Sequence, residues 1–152
     1  YLEKHNITYK IHKHPPVFTV EEHHKLENKL PNVLHTKNLF LKDNKNNFFL
    51  VSMYANKRLN LKVLKEKLKA KKKLSFGSPE QLKEHLNIIP GSVSIFCMIN
   101  AKSVKLILDK QIWLSPLVGF HPNKNTSTLE LNHENLKRFY DSLDVKKEII
   151  EL

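Results

Sequence analysis

Apolar and polar positions organise this chain into short segments before any composition is considered. Two extended apolar runs, LHTKNLFL (residues 34–41) and FFLVSM (residues 48–53), flank the Asp- and Asn-rich stretch KDNKNN. Runs bracketing such a turn predict an antiparallel hairpin. The first run is unusual, because Lys37 and Asn38 sit inside a segment otherwise suited to burial. Successive side chains of a strand point to opposite faces, so Lys37 should share a face with Leu39 and Leu41, and Asn38 one with Phe40. If Leu39 and Leu41 face the core, Lys37 stands at its rim. There it can snorkel to water, or it can project its ammonium into a pocket of low dielectric.

Helix signals are equally local. YLEKHN resembles the last turn of a helix, and Thr8 to His12 alternates like a strand. Pro15 and Pro16 forbid helix, and Thr19-Val20-Glu21-Glu22 reads as a capping box opening a helix over about residues 20–30. Asn60 caps a lysine-rich helix, LKVLKEKLKA, with Leu61, Leu64 and Leu68 on one face. Ser78-Pro79-Glu80-Gln81 is a second start, with serine at the N-cap, proline at the first helical position and glutamine at the third; this helix should end near Asn87, before Pro90. GSVSIFCMI, VKLILD and TSTLELN read as strands, HENLKRFYDSL as a helix and VKKEIIEL as a closing strand. Helices and strands interleave without strict alternation, which predicts an α+β fold, a mixed sheet with helices packed around it.

Composition narrows the class. A chain of 152 residues suffices for one domain with a real core, and 40% hydrophobic content argues against disorder. No apolar run approaches the roughly 18 residues of a membrane span, and no signal-peptide pattern is present. The single cysteine, Cys97, excludes an intramolecular disulfide and fits a reducing compartment, so a soluble, cytoplasmic domain is expected. The chain opens at Tyr1 without methionine, as an excised domain with residues missing upstream would. The net charge of +11 comes almost wholly from lysine. Such a field attracts polyanions, and lysine favours phosphate contact over bidentate reading of bases.

The candidate chemistry is sparse. His12 and His14 would share a strand face near His23 and His24, but no cysteine pair, His-Glu-x-x-His motif or spaced carboxylate completes a metal site. Cys97, in SIFCMI, reads as a small buried hydrophobe rather than a nucleophile. Gly77, Gly91 and Gly119 are isolated, so no glycine-rich phosphate loop exists. Two places remain: Lys37-Asn38, and Gly119-Phe120-His121-Pro122-Asn123, expected on an irregular segment where glycine and proline would hold a histidine.

KHPPVFTVEE, HTKNLFLKD, KLSFGSPEQL, PGSVSIF and GFHPNKNTSTLEL occur in this order along the chain. Together they closely resemble the YbaK/ProX-type editing domains, in the branch that hydrolyses alanine mischarged on proline tRNA. The resemblance covers essentially the whole chain as a single editing domain. It implies a barrel-like mixed sheet surrounded by helices, no cofactor, no membrane, and the acceptor end of proline tRNA as partner. Family members occur free-standing and fused to prolyl-tRNA synthetase, so the synthetase is a second implied partner.

By the same resemblance, Lys37 and Asn38 fall on the family's Thr-Lys-Asn motif and line the aminoacyl pocket, with His121 at its mouth beside Phe120 and Pro122. Gly91, Ser92, Val93 and Ser94 would shape the space for the amino-acid side chain, and Pro16, Phe18 and Thr19 the cleft wall. One departure is clear: where the family commonly has Pro-Phe-Gly, this chain has Ile95-Phe96-Cys97. That removes two backbone constraints beside the pocket and bears on amino-acid selectivity. Lys62, Lys65, Lys69, Lys71, Lys72 and Lys73 form a band for contact with the acceptor stem, or else a solvated helix face. Two alternatives stay open: a deacylase for tRNA mischarged with cysteine or serine, and a non-catalytic tRNA-binding appendage of a synthetase.

Overall fold

The computed structural model describes residues 1–13, 34–43, 45, 47–68, 73–88, 93–120 and 127–152. The helix expected over about residues 20–30 lies outside them. Eight strands form one mixed sheet: β1 (Lys10–Lys13), β2 (Leu34–Lys42), β3 (Phe48–Tyr54), β4 (Ser75–Phe76), β5 (Val104–Asp109), β6 (Leu117–Phe120), β7 (Ser127–Asn132) and β8 (Lys147–Ile150), in the order β1-β7-β6-β2-β3-β5-β8 with β4 also on β2. Among the described residues, four helices join them: α1 (Leu61–Lys67), α2 (Pro79–Leu86), α3 (Lys110–Leu114) and α4 (His133–Ser142). The α+β class is as the pattern predicts.

The β2–β3 hairpin forms in the register Lys37↔Met53, Asn38↔Ser52 and Phe40↔Leu50. Its turn is held by Asp43, whose Oδ1 accepts the amides of Lys45 and Asn47 at 2.8 and 2.9 Å. Asn60 accepts the Lys62 and Val63 amides at the start of α1. Ser78 and Gln81 close a reciprocal capping box on α2, which ends at Asn87 in the left-handed region. Each cap satisfies amides that would otherwise be orphaned at a helix end.

Alternation along the strands sorts the interior into two apolar clusters. Phe40, Phe48, Leu50, Leu106 and Leu108 face a large core closed by α2, α4 and a 3-10 helix. Leu41, Phe49, Val51, Met53 and Ile107 face a smaller core covered by Leu64 of α1 and by Leu74. β3 is therefore buried on both faces, as a central strand should be.

Two segments differ from expectation. SIFCMI is not a strand: Ile95–Asn100 is a 3-10 helix whose N-cap, Ser94, accepts the Phe96 amide at 3.2 Å. Ile95, Phe96, Cys97 and Met98 are all buried, and an apolar run of this length has no period that separates strand from helix. Gly119 and Phe120 are not on an irregular segment, since β6 continues through them, pairing with β7 on one side and with Leu34 and His35 on the other. Ladder partners distant in sequence override the turn preference of glycine here. The opening YLEKHN forms a single 3-10 turn, Glu3–His5.

Candidate active site

The sheet splits along β2. β6 pairs with β2 only at Leu34 and His35, and β4 joins the same edge only at Leu41 and Lys42. Among the described residues, no strand pairs with residues 36–40 there. Main-chain groups of successive strand residues point to alternate edges. The Phe40 carbonyl points to the open edge, where it accepts the Gly77 amide at 2.9 Å, and the His35 carbonyl points to the β3 side, accepting Ala55. Asn38 has the parity of Phe40, so its own N–H and C=O face the split.

Lys37 and Asn38 lie on opposite faces at this place. Lys37 is half-buried on the side of the smaller core, and its Nζ donates to the Lys57 carbonyl. Burial first, and the nearby Arg58 guanidinium second, hold its ammonium below the usual 10.5. The carbonyl it meets is firmly placed. Lys57 Nζ lies 3.1 Å from both oxygens of the Asp109 carboxylate and 3.1 Å from the Leu152 carbonyl. Asp109 is fully buried; it also accepts the Tyr54 amide at 3.2 Å and, as N-cap of α3, the Gln111 amide at 3.1 Å. An ion pair 52 residues apart in sequence thus anchors the loop against which Lys37 rests.

Asn38 points into the large-core side. It is half-buried, and its amide oxygen is buried with no hydrogen-bond partner among the described residues. Directly opposite on β3, the Ser52 hydroxyl is also buried and unpartnered. Beside them Thr36 Oγ1 donates to the Gly119 carbonyl at 2.8 Å, tying β2 to the end of β6.

Some of the other expected site residues lie among the described residues. Val93 is half-buried against the large core, and Ser94 is fully buried as the cap of the 3-10 helix. Phe120 is fully buried, its ring edge-on to Phe96 with centroids 5.9 Å apart. Burial pushes the Cys97 thiol up, and its sulfur accepts the Ser94 amide at 3.2 Å. The Ile95–Cys97 backbone, without proline and glycine, is held by this Ser94–Cys97 box. Lys62 and Lys73 are exposed and Lys65 is half-buried, none in an ion pair among the described residues. Pro16, Phe18, Thr19, Gly91, Ser92, His121, Pro122, Lys69, Lys71 and Lys72 lie outside the described residues, as do His14, His23 and His24. No group of three or more metal-binding side chains occurs among the described residues, and no helix there is long and apolar enough to cross a membrane.

Sequence reasoning passed over Ser52, Lys57, Arg58 and Asp109. Ser52 carried a signal, being the polar residue within FFLVSM. Asp109 carried another, an acidic residue where a strand gives way to Lys110-Gln111. Lys57 and Arg58 have no local pattern, because their meaning comes from Asp109 and Lys37.

Comparison with known proteins adds to this geometry. The family model described as "Aminoacyl-tRNA editing domain" matches residues 14–139. The "Prolyl-tRNA editing protein ProX" of Acetoanaerobium sticklandii is 35% identical over 141 residues, 90% of this chain and 84% of that protein. "Prolyl-tRNA synthetase associated domain-containing protein 1" of Danio rerio is 32% identical over 150 residues, 93% of this chain and 78% of that protein. A crystal structure of a candidate trans-editing enzyme for prolyl tRNA synthetase has the same fold, with a TM-score of 0.71 at 16% identity over 95% of this chain and 85% of that one.

Proposed function

Because this chain belongs to the aminoacyl-tRNA editing domain family, we propose that it is an aminoacyl-tRNA deacylase that hydrolyses alanine mischarged on proline tRNA. The observation that carries the reading is the match to an editing protein over nine-tenths of the chain. The lysine-rich composition and the polar residues Lys37 and Asn38 within β2 are in keeping with a tRNA end as ligand.

An aminoacyl ester is already reactive, so the site has to position water and stabilise charge rather than supply a strong nucleophile. Lys37, cationic and partly desolvated, anchors the phosphate or carbonyl end of the terminal aminoacyl-adenosine. Asn38 and the backbone amides near Gly91 hold the ester, and His121 orients substrate or water. The adenosine 2′-hydroxyl assists attack. Water adds to the ester carbonyl, and the ribose oxygen leaves with a proton to give free alanine and tRNA.

Size explains why such an enzyme is needed. A pocket made for proline rejects alanine weakly, since a few methylenes are worth only about 1–3 kcal/mol. A second pocket too small for proline removes the error. The lysine band from Lys62 to Lys73 contacts the acceptor stem, and prolyl-tRNA synthetase is the source of the mischarged substrate, whether fused or free.

The test is turnover of alanyl-, cysteinyl-, seryl- and prolyl-tRNA by the wild type and Lys37→Ala. Alanyl-tRNA specific for proline is expected to react fastest and prolyl-tRNA negligibly, with Lys37→Ala about a hundredfold slower. A wild-type rate in Lys37→Ala removes the lysine from the mechanism. Preference for cysteine or serine overturns the substrate, and no turnover on any of the four leaves a tRNA-binding appendage.

A further inference from the structure

Buried polar atoms in folded proteins nearly always have partners, so two orphans facing each other need an explanation. Asn38 Oδ1 and Ser52 Oγ are both buried, both unpartnered, and opposite each other across the hairpin. Ser52 is 0% exposed on a strand whose preceding residues on that face, Phe48 and Leu50, are core. Each orphan of this kind costs about as much as a lost hydrogen bond, so packing alone would favour alanine or valine at position 52.

We infer that Ser52 is a substrate-recognition residue whose hydroxyl, with the Asn38 amide oxygen, accepts hydrogen bonds from the α-ammonium of the aminoacyl ester. The inference rests on the deacylase reading above. Directly opposed strand residues have Cα atoms about 4.5–5.5 Å apart, close enough for one ammonium to donate to both side chains. The Asn38 oxygen can only accept, and the Ser52 hydroxyl can accept as well as donate, so a donor such as an ammonium suits both. Asn38 is half-buried as a residue, while its amide oxygen and the Ser52 hydroxyl are both covered.

The geometry around β2 is consistent with the two charges of such a substrate. The cations Lys37 and Arg58 are on one side of the strand, suited to phosphate, and the orphan acceptors on the other, suited to ammonium. The edge between them, at residues 36–40, carries no strand partner among the described residues. A deacylase built this way recognises the amino acid by its charged amine as well as by its size.

Two ligand pairs test this. The first is alanyl-tRNA and lactyl-tRNA specific for proline, which differ by an α-hydroxyl in place of the ammonium. Wild type should prefer the alanyl ester at least tenfold in kcat/KM, and Ser52→Ala should lose about tenfold more on alanyl than on lactyl ester. Ser52→Ala should also melt no lower than wild type, because the variant deletes an unsatisfied oxygen; Ser52→Thr, which keeps the hydroxyl, should retain most of the preference. Equal losses on both esters, or an unchanged alanyl rate, overturn the inference. The second pair is 3′-alanylamino-3′-deoxyadenosine, a non-hydrolysable amide, and its lactyl counterpart, with binding read by NMR. This pair decides the matter without turnover. Wild type should bind the alanyl amide more tightly, and Ser52→Ala should abolish the difference. Failure of the wild type to bind it, or an undiminished preference in Ser52→Ala, removes Ser52 from recognition even if the deacylase activity stands.

Discussion

Lys37 shows how one side chain is tuned by what surrounds it. Burial removes water from its ammonium and Arg58 adds a second positive charge nearby, and both effects favour the neutral amine. A base with a lowered pKa in the folded state binds fewer protons there than in the unfolded chain. Stability therefore rises with pH between the folded value and the unfolded 10.5, and the cost of the charge is felt below that window. Titration of Lys37 Nζ by NMR should give a midpoint below 10.5, and Arg58→Gln should move it upward. A midpoint at or above 10.5 in the wild type would show that neither burial nor Arg58 governs the group. An ammonium so placed is a stronger electrostatic partner than one in water, and anion binding would return its proton affinity.

At the scale of elements, the site depends on close approach between β2 and the segment before α2. Gly77 donates its amide to the Phe40 carbonyl, and a Cβ at Gly77 would come 2.3 Å from Phe40 Cδ2. The Phe40 ring has little freedom to yield, being stacked on Phe48 at 5.5 Å and 6°. Gly77→Ala should therefore destabilise the fold by about 1–3 kcal/mol, read by chemical denaturation. An unchanged midpoint would mean that the Phe40 ring shifts freely. Local signals were sufficient for the capped helices α1 and α2 and for the hairpin, because Asn60, Ser78 and the Asp43 turn act over three or four residues. They were insufficient for Ile95–Asn100, for β6 and for the five-residue α3, which non-local packing and pairing define.

For the whole molecule, the decisive quantity is the charge of +11, carried by lysines that act as point charges for phosphate. Binding of proline tRNA should weaken steeply with salt, by about 0.7–0.9 logarithmic units per tenfold change in salt for each phosphate contacted. Replacing Lys62, Lys65 and Lys73 together with glutamate should reduce that slope by about 2. A slope unchanged by the triple variant would assign these lysines to a solvated face.

The sequence by itself determined which side chains share a face of each strand, where the capped helices begin, and the sign of the surface field. These follow from a period of two, from hydrogen bonds spanning one turn, and from composition. The motif order also carried the family resemblance, in which Lys37 and Asn38 already stood out. Only the tertiary structure decided that β6 leaves β2 after His35 and β4 joins it at Leu41, leaving Asn38 without a strand partner on that edge among the described residues. It alone brought Asp109 to Lys57 and set Ser52 against Asn38 without a partner for either. The reason is range: ladder choice and buried charge pairing join residues dozens of positions apart, and no local pattern encodes which distant group will arrive.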